Sequence, residues 1–302
     1  MTMAHAPAFH PLRALLLLCS AQILFALLDA TGKTLAGHMG IPLIALVRHA
    51  GQALLMLVFL GPRMRGELVT TAHPWLQLWR GLSLGGFTLF FFTALFRLPQ
   101  AEATAINFIA PFVVMLLAGR LLQERVTTGR WIGAAVGFLG MLVLVRPGSA
   151  LDPLGVLCVL LTVCCNVAFQ ILTRKLARVD NSFATMFISA AIGVTVAVLM
   201  LPLQGLWGGW PDSLSLRQLW LLCALGGLGA VSQWCLIRAY VWSNASFIAP
   251  LSFLQLLWST AAGYVFFAQL PNLISLAGIA LILLSGASTM FLATRPLRAM
   301  AE

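Results

Sequence analysis

The sequence predicts an all-α polytopic membrane protein, with ten transmembrane helices arranged as two inverted five-helix repeats. Three observations predict it: a shortage of charge, ten apolar runs of near-bilayer length, and a motif that recurs once in each half. Of 302 residues, 61% are apolar and 9% charged, where a soluble domain carries roughly a quarter. Its 18 basic and 8 acidic residues can dress the ends of a bundle whose sides face lipid, but not a compact soluble body. The formal charge of +10 is scattered singly between apolar runs. Phosphate binding needs a basic patch, so no nucleic-acid partner is expected.

The apolar runs cover residues 12–34, 41–60, 75–96, 101–120, 130–146, 153–173, 184–203, 216–237, 243–266 and 271–292. Most approach the roughly 20 residues that span a bilayer; the fifth, at 17, is the shortest. Short links separate them and carry breakers such as Gly61-Pro62, Arg146-Pro147-Gly148 and Leu270-Pro271-Asn272. Nothing leaves room for a soluble domain. The run from Leu12 is read as a retained first helix rather than a cleaved signal, since a small-residue cleavage site is missing.

Basic residues favour the cytoplasmic side of short loops. With the N-terminus inside, thirteen of them collect on that side, among them Arg63, Arg65, Arg80, Arg174 and Lys175. Four remain outside (Lys33, Arg97, Arg146, Arg217), and Arg48 lies within a helix. Both termini are therefore expected to be cytoplasmic, in a bacterial inner membrane.

Phe108-Ile109-Ala110-Pro111 in the fourth run recurs as Phe247-Ile248-Ala249-Pro250 in the ninth. Glycines beyond it match as well, Gly119 and Gly133 against Gly263 and Gly278. Residues 12–146 and 153–292 are thus expected to be two related units. Five helices each would insert them from opposite faces, a geometry in which one half rocks against the other around a midplane site. Gly81-x-x-x-Gly85, Gly133-x-x-x-Gly137, Gly226 and Gly229 are read as close-packing positions.

Polar groups at hydrocarbon depth are costly and need a partner or an aqueous cavity. Counted from a hairpin at Gly37, Asp29 and Arg48 lie about 12 and 16 Å deep at 1.5 Å per residue, close enough for an ion pair. Whether that pair is structural or faces a pathway stays open; if protons couple to transport, Asp29 is the carboxylate to suspect. Glu102 is expected near the outer helix end beside Arg97. Pro111 and Pro250 lie halfway along their runs and are expected to kink them, freeing carbonyls at Asn107 and Ser246; their recurrence favours a pair of broken helices flanking a central cavity. Asn166, Gln170, Gln233, Trp234, Gln255, Trp258 and the Phe87–Phe92 aromatics complete a candidate set of amides and rings. Such a lining suits a zwitterion or an aromatic metabolite better than an inorganic ion.

Six cysteines sit inside apolar stretches without a C-x-x-C, and the histidines lack ligand spacing, so neither metal nor cofactor is expected. Walker A, dinucleotide and H-E-x-x-H sequences are absent, which speaks against ATP-driven transport by this chain alone and against an enzyme.

The stretch Ala94 to Ile106, running into Phe108–Pro111, resembles the third-to-fourth helix signature of EamA-type transporters of the drug/metabolite transporter (DMT) superfamily. Gly119 to Glu124, Gly137–Gly140 through Arg146-Pro147, Arg48 in the second run and Arg238-Ala239-Tyr240 extend the likeness over nearly the whole chain. Gln269 departs from it, standing where many relatives carry an acid. The resemblance implies a basket of helices around a central cavity, with Asp29, Phe90, Asn107, Asn166, Gln170, Gln233, Trp234, Gln255 and Trp258 near it. It further implies a secondary transporter, functional as a monomer, taking a small-molecule substrate and using protons as a candidate coupling ion. Export of amino acids or related zwitterions is the expected activity. Import of a specialised metabolite such as S-adenosylmethionine, or export of amphipathic drug-like compounds, is the alternative.

Overall fold

Long apolar runs leave the backbone no hydrogen-bond partners in lipid except its own, and helices are the result. The computed structural model describes residues 11–121, 128–145, 151–176, 179–207, 209–211, 213–242, 254–269 and 271–298. Its helices are α1 (Pro11–Ala36), α2 (Ile41–Met64), α3 (Pro74–Arg97), α4 (Gln100–Asn107), α5 (Ile109–Leu121), α6 (Thr128–Val145), α7 (Pro153–Leu176), α8 (Ser182–Met200), α9 (Leu216–Trp242), α10 (Leu254–Phe267) and α11 (Leu273–Arg298). Among the described residues, six helices are long and apolar enough to cross a membrane: α1, α2, α3, α7, α8 and α9. The chain is an all-α polytopic membrane protein.

One sequence expectation changes. The Gly61-Pro62 pair does not end α2, which runs on to Met64 with Pro62 inside it. Pro62 gives up the bond to the Val58 carbonyl and crowds it, but only two residues of helix follow. The fourth run comprises two helices, α4 and α5. α4 stops at Asn107, and the Phe108 amide turns back to the carbonyls of Thr104 (3.1 Å) and Ala105 (3.2 Å) before α5 begins. Pro111 is then the third residue of α5, among the first-turn positions whose amides have no intrahelical acceptor. The matching Pro250 and Ser246 lie outside the described residues.

α3 runs antiparallel along α7. Arg97 at the end of α3 bonds Asp152 at the start of α7 (2.8 Å), and Arg80 near the start of α3 bonds Thr173 near the end of α7 (2.8 Å). α9 lies along α1 and α2, α8 along α2 and α3, and α11 along α6. α10 packs on α1 and α4, and α7 on α4 and α5. The expected close-packing glycines sit at these contacts: Gly81 and Gly85 under Ile192 and Val196 of α8, and Gly137 under the Phe112 ring. Among the described residues, the tightest approach of backbone to backbone joins α2 and α9, where a Cβ on Gly51 would stand 2.7 Å from the Gly226 Cα. After α8, a 3-10 turn (Leu201–Trp207) leads to Gly209, whose φ of +72° aims its carbonyl at the Gly40 amide (2.9 Å) and closes over the start of α2.

Candidate functional site

The middle of the bundle holds a polar cluster where α1, α2, α3, α9 and α10 meet. Arg48 is 3% exposed. Its Nη1 donates to Thr88 Oγ1 at 2.8 Å, and its guanidinium lies 5.7 Å from the Phe92 ring centroid. Thr88 spends its own proton on the Leu84 carbonyl (2.9 Å), so it meets Arg48 as an acceptor. His49 Nε2 approaches the same oxygen at 3.1 Å and must also donate. That places the imidazole proton on Nε2 and leaves Nδ1 a bare acceptor, buried without a partner. Gly32 of α1 makes room for Phe92, and Gly193 of α8 for the His49 ring.

Asp29 is 5% exposed and accepts a hydrogen bond from the Gln255 side chain. Its Oδ2 has no partner, and neither has Arg48 Nε. The two charges act on each other electrostatically, but the expected ion pair is not formed, with no contact of 4.0 Å or less between them. Their depths match as counted; α3 draws the guanidinium aside through Thr88 and Phe92, and α10 holds the carboxylate through Gln255.

A second polar row runs from the helix break. Asn166 Nδ2 donates to Asn107 Oδ1 (3.2 Å), and Gln170 Nε2 to Asn166 Oδ1 (3.1 Å), all three half-buried. Thr104 donates to Ser259 across α4 and α10 (3.1 Å). Phe90 is half-buried on α3 near Gly86 and Cys165, while Phe87 and Phe91 stack at 5.5 Å. Gln233 is buried on α9; Trp234 and Trp258 are 43% and 41% exposed and face away from the most buried positions of their helices.

Two expectations about charge are corrected. Glu102 does not sit beside Arg97, which bonds Asp152 instead; Glu102 hydrogen-bonds Ser275 and faces Lys33. Lys33 itself reaches back to the Leu98 carbonyl and over the Phe267 ring. Arg80, counted among the charges at the helix ends, is buried inside α3. Gln22, one helical face with Asp29 and buried with a free Oε1, was not anticipated; a polar residue two turns before Asp29 was the available signal. Among the described residues, no group of three His, Cys, Asp or Glu could hold a metal ion.

Residues 12–146 match the EamA-like transporter family. A solved crystal structure, 21% identical, superposes with a TM-score of 0.67 over 93% of this chain and 98% of its own. The chain has the EamA/DMT superfamily membrane-transporter fold. Curated relatives include a riboflavin transporter of Vibrio cholerae, 26% identical over 91% of this chain and 92% of its own. An S-adenosylmethionine uptake transporter of Rickettsia felis is 26% identical over 84% of both chains. The pseudopaline exporter CntI of Pseudomonas aeruginosa is 25% identical over 89% of this chain and 93% of its own. The chain is thus a multi-pass inner-membrane protein that moves small molecules across the bilayer by secondary transport.

Proposed function

We propose that this transporter exports amino acids or related small zwitterionic metabolites by alternating access. The observation that carries the reading is the gap between Asp29 and Arg48. They are two buried opposite charges in electrostatic reach, not paired with each other, each keeping one polar atom without a partner. A buried charge left so costs several kcal/mol, which a ligand of opposite charge recovers. A zwitterion fits the gap, its ammonium at Asp29 Oδ2 and its carboxylate toward Arg48. The amides of Asn107, Asn166, Gln170, Gln233 and Gln255 supply neutral hydrogen bonds, and Phe90 receives an apolar side chain. Asp29 is the group that would exchange a proton with the pathway.

Residues 12–146 and 153–292 are read as the two inverted repeats of a ten-helix bundle, working as a monomer with both termini cytoplasmic. The packing pattern supports this reading, because it survives exchange of the halves. α3 on α7 becomes α9 on α1, α3 on α8 becomes α9 on α2, and α1 on α10 becomes α7 on α4 and α5. The contacts α2–α8, α6–α11 and α4–α10 map onto themselves. Pro111 would then flank the cavity.

The second reading, import of a specialised metabolite, is favoured by relatives named for S-adenosylmethionine uptake and for riboflavin transport. Flux of radiolabelled amino acids, S-adenosylmethionine and riboflavin into proteoliposomes, with and without a pH gradient, separates the two. Saturable amino-acid flux is expected. Flux of S-adenosylmethionine or riboflavin with none of any amino acid would sink the export reading in favour of the second.

A further inference from the structure

A second buried cation, Arg80, has no place in the substrate reading. It is the seventh residue of α3 and only 2% exposed. Its Nε donates to Thr173 Oγ1 of α7 (2.8 Å), and its Nη1 donates to the Thr185 carbonyl (3.1 Å) and the Ser189 hydroxyl of α8. Its guanidinium lies 4.5 Å from the Phe169 ring centroid. Every one of these partners is neutral. Lys33 has Glu102 in electrostatic reach and Arg48 has Asp29, but no carboxylate among the described residues is paired with Arg80. Asp180 is linked to it only through a relay, since Gln77 donates both to Asp180 Oδ2 (2.8 Å) and to Thr185 Oγ1 (2.9 Å).

Two features make this more than a structural pin. The bonds join α3 to α7 and α8, so they tie the first unit to the second at the end of the bundle that holds Thr71 and Asp180. Thr173 also extends the face of α7 that carries Asn166 and Gln170, at spacings of four and three residues. The cation thus stands at the end of the polar row. Its hydroxyl and carbonyl acceptors lack the countercharge and the two-pronged geometry that a carboxylate offers a guanidinium.

We propose that Arg80 is a latch that closes this end of the pathway, and that a substrate carboxylate opens it by capturing the guanidinium from Thr173 and Ser189. The capture step rests on the zwitterion reading above; the latch itself does not. A ligand shifts the closed state only if it binds the open one better, and an exposed Arg80 supplies that difference.

Cys165 of α7 lies against Gly86 of α3, where a Cβ would be 3.1 Å from its Sγ, so its reactivity reports the α3–α7 contact. The test follows N-ethylmaleimide labelling of purified protein that keeps Cys165 as its single cysteine. Without ligand, Arg80→Gln should label at least about fivefold faster than the parent, and Arg80→Lys close to the parental rate, because a charge held by neutral acceptors keeps the latch shut. Millimolar phenylalanine should speed labelling of the parent and not of Arg80→Gln, and phenethylamine, which lacks the carboxylate, should speed neither. Parental labelling in Arg80→Gln, or equally fast labelling in Arg80→Lys, overturns the latch. Equal acceleration by phenethylamine, or none by phenylalanine in a parent that transports it, overturns the capture step. A parent that transports no amino acid sinks the export reading alone, and the ligand-free rates still decide the latch.

Discussion

Thr88 sets the electrostatics at the centre of the bundle. With its proton committed to Leu84, it draws Arg48 and His49 to itself and so keeps Arg48 off Asp29. The carboxylate is then free to meet a substrate cation or a proton. Asp29→Asn should lower amino-acid flux by at least about tenfold, the factor that 1.4 kcal/mol corresponds to, and should abolish any response to a pH gradient; unchanged flux would remove Asp29 from the pathway. At the bundle end, burial pushes the Asp180 carboxyl up. Bonds from Thr71, Gln77 and the Ala72 amide outweigh it and hold the group below its ordinary 3.8. A depressed carboxyl contributes stability that is present above its unfolded value and lost as pH falls through the folded one. Asp180→Asn should therefore lower the melting temperature at about pH 7, with the gap closing toward about pH 3; a gap independent of pH would contradict the assignment.

At the scale of elements, two backbone features carry consequences. α2 and α9 meet with Gly51 on Gly226, and a methyl group there finds backbone rather than a movable side chain. Gly51→Ala should cost about 1–3 kcal/mol, as overpacking does, read as a lower melting temperature in detergent; Gly61→Ala, with nothing within 4 Å, is the control. The break between α4 and α5 is a second such feature, because it presents the Asn107 amide to Asn166. Pro111→Ala restores an N–H that could rejoin the two helices. Flux should fall several-fold while the melting temperature holds or rises, since a proline-imposed break gives up helix bonds; normal flux by a folded variant would deny the break a role.

For the whole molecule, the pairing of helices across the two units frames the transport cycle. α3 touches α7 at both ends, through Arg97–Asp152 and through Arg80–Thr173, and rocking of one unit against the other must break these contacts in turn. In a cysteine-free background, Thr71→Cys with Asp180→Cys replaces the hydrogen bond between those residues with a cross-linkable pair. Cross-linking should bring flux to background and reduction should restore it. Full flux in the cross-linked protein would mean that this end stays closed throughout the cycle.

Composition and run length alone determined the membrane class and the position of most helices. Lipid demands long apolar segments, so α1, α2, α3, α7, α8 and α9 begin and end within a few residues of their runs. The polar residues at hydrocarbon depth were legible for the same reason, and Asp29, Arg48, Asn107, Asn166 and Gln170 stood out as exceptions to an apolar rule. Which of them meet was decided by the tertiary structure. In a soluble helix the polar face reports the rotation, but here the face toward lipid and the face toward protein are both apolar, and periodicity carries little of that information. Rotation turned Arg80 inward rather than toward the membrane surface, set Glu102 against Lys33 rather than Arg97, and held Asp29 and Arg48 apart.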